Sequence, residues 1–120
     1  MALWMSTSNL APGTTSQAVT VPPGFYNFIV RRDPFALNAS GTDFAINSDT
    51  TTTLQQLGTD GATWQTIATV SNASMAKGQG IVHVEVNPAP WGAVQVVGGA
   101  QLVQWCGLTD DNGNESRTIW

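Results

Sequence analysis

Residues 81–86 read Ile81-Val82-His83-Val84-Glu85-Val86. In an extended chain Val82, Val84 and Val86 fall on one face, and Ile81, His83 and Glu85 on the other. This is the period-two alternation of a half-buried β-strand. Asn87-Pro88-Ala89-Pro90 ends it, and Ser71 to Gly80, a run of small residues, separates it from what precedes. Upstream, Trp64, Thr66, Ala68 and Val70 predict one inward strand face, entered from the turn Gly58-Thr59-Asp60-Gly61. Downstream, Val94 and Val96 flank Gln95, Gly98-Gly99 turns the chain, and Gln101 to Leu108 predicts the next strand.

The first half repeats the pattern. Val19 and Val21 alternate with polar neighbours before Pro22-Pro23-Gly24. Phe25 to Val30 is a dense aromatic and β-branched run, suited to a strand covered on both faces. Phe44 and Ile46 alternate with Asp43 and Asn47, and Thr50 to Leu57 is Thr-rich. Nowhere do apolar residues recur at helical spacing over three turns. The reading is all-β: an antiparallel β-sandwich or jelly roll of about eight short strands, one domain over 16–120. Its expected core includes Phe28, Phe44, Ile46, Trp64, Val82, Val84, Val86, Val94 and Val96.

Residues 1–15 show no strand or helix period and contain Pro12-Gly13, yet Leu3, Trp4, Met5 and Leu10 are apolar. They read as an extended N-terminal arm that packs either on its own domain or on a neighbouring subunit. Trp120, at the other chain end, is equally hard for a monomer to bury. Large exposed aromatics mark contact surfaces, so Leu3, Trp4, Met5, Leu10 and Trp120 are the candidate interaction residues. Because clear strands begin near Gln17, removal of residues 1–10 is expected to leave the fold intact.

Composition narrows the function. Only 10% of the 120 residues are charged and the net charge is −4, while 39 residues are Ser, Thr, Asn or Gln. An apolar fraction of 42% excludes a highly charged disordered chain. Four Lys and Arg are too few to neutralise a nucleic-acid backbone, so no nucleic acid is expected as partner. No window approaches the ~20 apolar residues of a membrane helix, and no membrane partner is expected. The opening Met-Ala-Leu-Trp-Met-Ser-Thr-Ser lacks the basic and apolar regions of a signal peptide.

Catalytic constellations are weak. A nucleophile needs a base beside it, and the chain has one histidine, His83, and one cysteine, Cys106. His83 reads as a half-exposed strand residue and Cys106 as a small buried hydrophobe. Asp110, Asp111 and Glu115 share one polar loop but place Glu115 where a calcium loop of the EF-hand type needs glycine. No enzyme, metal or cofactor is expected.

The stretch from Leu54 to Leu108 resembles small structural proteins of tailed bacteriophages. The resemblance rests on Asp60-Gly61, Trp64, Thr66-Ile67-Ala68-Thr69-Val70, Val82 to Val86, Pro90-Trp91 and Val94 to Val97. It implies a non-catalytic virion protein, present in the host cytoplasm during assembly. Its nearest type is a capsid decoration (cement) protein that binds the major capsid protein and forms a homo-oligomer, most often a trimer. Another virion part, such as a tail, head-fibre or head–tail joining domain, is the alternative within that class. A carbohydrate-binding module with exposed Trp residues is the alternative outside it.

Overall fold

The alternating stretch around His83 is one of eight strands among the residues described by the computed structural model, namely 3–32, 42, 51–71, 78–87, 93–99 and 102–110. In chain order they are β1 (Leu3–Leu10), β2 (Val19–Thr20), β3 (Gly24–Arg31), β4 (Thr51–Leu57), β5 (Trp64–Ser71), β6 (Gln79–Val86), β7 (Ala93–Val97) and β8 (Val103–Asp110). They form two antiparallel four-stranded sheets, ordered β1-β8-β3-β6 and β2-β7-β4-β5.

The pairings follow one rule. β4 pairs with β5, β3 with β6, β2 with β7 and β1 with β8. The chain is therefore a single long antiparallel ribbon, doubled back at residues 58–63, whose successive rungs alternate between the two sheets. Contacts of β8 with β3 and of β7 with β4 join the rungs within each sheet. The doubling point is built as the Asp-Gly signal demands. Asp60 Oδ1 accepts from the backbone N–H of Ala62 at 2.9 Å and of Thr63 at 2.8 Å, and Gly61 takes φ +71°, where a side chain would be strained.

Alternation then sorts the side chains. In the first sheet Tyr26, Phe28 and Val30 of β3, Val84 and Val86 of β6, and Cys106 and Leu108 of β8 turn inward and are buried. In the second, Leu54, Ala68, Val70, Val94 and Val96 do the same, and all belong to one apolar cluster shared by both sheets. Val82 is half-buried against that cluster. Burying a Phe or Val side chain contributes roughly 1.5–3 kcal/mol before ordering costs. Phe44 and Ile46 lie outside the described residues.

Two expectations are corrected. The first concerns the arm over 1–15: it packs on its own domain, one of its two expected placements, but as a strand of the sheet and not as a separate arm. Leu3–Leu10 is a regular edge strand, in register with β8 from Met5↔Leu108 to Leu10↔Val103, with one irregularity between Leu3 and Met5. Met5 and Leu10 are 5% and 6% exposed and fill the chain's own core, so neither is available to a partner. Asn9 takes φ 53°, a left-handed conformation that Asn tolerates better than most residues. Residues 11–16 are tied down as well: Gly13 N–H donates to Gly99 O at 2.8 Å, Gly98 N–H to Thr14 O at 2.9 Å, and Ser16 N–H to Val96 O at 2.8 Å.

The second correction concerns Trp64. The β4–β5 register runs Leu54↔Ala68 and then Gln55↔Thr66, so Ile67 is an extra residue in β5. Such a bulge reverses the alternation beyond it. Ala68 and Val70 face the core, whereas Trp64 pairs with Leu57, faces outward and is half-buried.

Candidate interaction site

The outward sides of the two sheets differ in chemistry. On the first sheet the cross-strand partners are Phe25 with Glu85, Asn27 with His83, Ile29 with Ile81, and Arg31 with Gln79. On the other side of β3, Asn27 lies opposite Thr109, Ile29 opposite Gly107, and Arg31 opposite Trp105. Phe25, near the start of β3, and Ile81, on the edge strand β6, are 58% and 51% exposed, although both are large apolar side chains. Glu85, His83 and Gln79 are exposed beside them on β6. Towards β8 the same side is closed: Ile29 and Thr109 are buried.

Arg31 anchors one end of this surface. Its guanidinium carbon sits 4.8 Å from the Trp105 ring centroid, and its Nε donates to Gln79 Oε1 at 3.1 Å. A guanidinium over an indole face is attracted by the ring quadrupole. Trp105 lies against Gly107, where any Cβ would strike the six-membered ring. Glycine at 107 is therefore what lets the indole lie flat along β8.

The outward side of the second sheet carries no charged residue among those described. Thr20, Ala93, Gln95, Val97, Thr51, Thr53, Gln55, Leu57, Thr66, Thr69, Ser71 and Trp64 fall on it by register. A ladder of side chains crosses three strands. Gln95 Nε2 donates to Gln55 Oε1 at 2.9 Å, and Gln55 Nε2 donates to Thr66 Oγ1 at 3.4 Å. Such amide ladders fix side chains that would otherwise be mobile, so less entropy remains to be lost on contact.

The structure separates the two groups that nucleophilic chemistry would need together. Cys106 points inward from β8, opposite Val30, while His83 is exposed on the outward side of β6. Burial pushes the Cys106 thiol up to about 12, against a smaller opposing effect of a hydrogen bond with the Thr7 backbone. A protonated, buried thiol is a poor nucleophile. Asp60 moves the other way, to about 2, because Thr63 Oγ1 donates to its Oδ2 at 2.5 Å and the Thr63 and Ala62 amides bind Oδ1. These bonds belong to the turn. Among the described residues no group of three or more His, Cys, Asp or Glu side chains is placed to hold a metal ion.

Of the residues expected to meet a partner, Met5 and Leu10 are core. Trp120 and the side chains of Leu3 and Trp4 lie outside the described residues. Phe25, Ile81 and the neutral sheet were missed. The signal for Ile81 was present, since it alternates out of phase with three valines. Phe25 was hidden because its run is apolar throughout. No protein-family model, curated protein or solved structure matches the chain.

Proposed function

We propose that the chain is a jelly-roll protein of a virus particle, a capsid decoration protein that binds the major capsid protein and works as a homo-oligomer. The jelly-roll assignment is supported by the ribbon order, in which β1 to β4 pair in reverse with β8 to β5 across two sheets. The functional reading rests on one observation above all: the outward side of β2-β7-β4-β5 carries only neutral residues among those described. A broad contact made through Thr, Gln and Ser avoids the cost of stripping water from charges. Repeated many times on a symmetric shell, individually modest contacts act together.

Mass spectrometry of purified virus particles tests the class: the chain should be present in fixed proportion to the shell subunit, and its absence would overturn the reading. Co-sedimentation with emptied particles tests the surface. Thr53→Glu should melt like the wild type and fail to attach.

One observation favours a second reading. The bulge at Ile67 turns Trp64 outward next to Leu57, on the same side as Gln55 and Thr66. An indole beside amides and hydroxyls is the chemistry of a sugar-stacking surface. Quenching of tryptophan fluorescence by oligosaccharides, lost in Trp64→Ala, would establish the carbohydrate-binding alternative.

A further inference from the structure

We infer that the turn at 58–63 has a chemical role besides reversing the chain: it keeps the Asp60–Gly61 step from isomerising, so that isoaspartate forms there only when the turn opens. The inference does not depend on the capsid reading.

An Asp-Gly step is reactive because glycine has no side chain to shield its amide nitrogen. In isomerisation the Gly61 nitrogen attacks the side-chain carboxyl carbon of Asp60. The new C–N bond closes a five-membered succinimide, and the hydroxyl of the carboxylic acid leaves as water with the amide proton. A second water opens the ring at either carbonyl. One opening restores aspartate. The other routes the main chain through the side-chain carbon, which lengthens the backbone by one methylene at unchanged mass. Asp60 and Gly61 are both exposed, so burial does not protect them.

Hydrogen bonds oppose each requirement of that reaction. The carboxyl must swing its carbon onto the Gly61 nitrogen, but Oδ1 is tied to the N–H groups of Ala62 and Thr63 at 2.9 and 2.8 Å, and Oδ2 accepts from Thr63 Oγ1 at 2.5 Å. The leaving oxygen must be protonated, but the same donors hold Asp60 as a carboxylate, down to about 2. The Gly61 nitrogen must give up its proton, but that N–H donates to Gly58 O at 3.0 Å. Gly58 N–H in turn donates to Thr63 O at 2.7 Å, and a Cβ at 58 would lie 2.9 Å from that oxygen. The bonds thus close the turn on itself around the reactive step. What they protect is register. The pairs Leu57↔Trp64 and Gln56↔Gln65 follow directly from this turn, and a longer backbone within it would misalign Gln55 with Thr66.

The test is ageing of the purified full chain at neutral pH, in buffer and in guanidinium, with isoaspartate at residue 60 quantified by peptide mapping. The folded chain is expected to convert about tenfold more slowly than the unfolded one. Thr63→Val removes one donor to Asp60 and keeps a strand-forming residue. When folded it should convert about threefold faster than the wild type, with an unchanged melting temperature, and in guanidinium at the wild-type rate. Thr63→Ser restores the hydroxyl and should restore the slow rate. Met5→Ala weakens the far end of the ribbon and should leave the rate at residue 60 unchanged. Equal rates in the folded and unfolded chain, no acceleration in Thr63→Val, or no return in Thr63→Ser would each overturn the inference. So would an acceleration in Met5→Ala as large as in Thr63→Val, because general unfolding would then be the route. None of these needs particles, so failure here leaves the capsid reading to be decided by its own experiment.

Discussion

At the scale of single residues, the structure places polar atoms where they earn nothing. Thr109 is fully buried, and neither its Oγ1 nor the Oδ1 of Asn27, its partner across β3 and β8, has a hydrogen-bond partner. An unmet buried hydroxyl costs about 1–3 kcal/mol, whereas an isosteric methyl has no such requirement. Thr109→Val should therefore leave the unfolding free energy unchanged or raise it, as read by urea titration. Phe28 and Trp64 make a paired comparison. Phe28→Ala empties a fully buried site and should cost about 3–5 kcal/mol. Trp64→Ala, on the outward side, should cost well under half of that. Trp64 also shows where reading by alternation stops. Its position was inferred by counting back in twos from Val70 and Ala68, and Gln65-Thr66-Ile67 contains nothing that announces an inserted residue. Cys106 carries a pH prediction. The unfolded thiol ionises near its ordinary value of about 8.5, whereas the folded one stays protonated up to about 12. Between those limits the unfolded chain holds fewer protons, so this contribution to stability is intact below pH 8 and lost as pH rises. Melting curves from pH 8 to 11 should fall more steeply for the wild type than for Cys106→Ala.

At the scale of elements, β1 is the informative case. Its inward residues by register are Met5 and Thr7, with Leu10 brought in after the left-handed Asn9. Apolar groups at 5 and 10 fit no single period, so Met5-Ser6-Thr7-Ser8-Asn9 read as a tail. Only the presence of large apolar residues in an otherwise polar segment hinted otherwise. By contrast β3, β4, β6 and β7 were legible: β6 and β7 carry strictly alternating valines, and β3 and β4 are short, dense runs of strand-prone residues. β1 is an edge of its sheet among the described strands, held by β8 alone and by the core contacts of two side chains. Removing residues 1–10 should therefore lower the melting temperature sharply, contrary to what the sequence pattern implied, and Met5→Ala alone should cost about 2–4 kcal/mol. A truncated chain that melts like the full one would show that β1 contributes no packing.

At the scale of the whole molecule, the two outward surfaces differ in chemistry. One side is neutral and ladder-bonded, and the other exposes Phe25 beside Glu85 and Ile81 further along towards Arg31. The fold class came from strand spacing alone, but which side of which sheet would be useful could not. That depends on pairings between strands far apart in the chain. The same pairings set an order in time. β4 and β5 are joined by a six-residue turn, whereas β1 must find β8 nearly a hundred residues away. Closing short loops first costs the least chain entropy. The ribbon should therefore zip outward from Asp60, with β8 entering last between β1 and β3. On a ribosome, β3 waits with one bare edge until the final strand emerges, a period in which neighbouring nascent chains can pair with it. In stopped-flow refolding, Gly61→Ala should slow the folding limb, while Met5→Ala should act mainly on the unfolding limb.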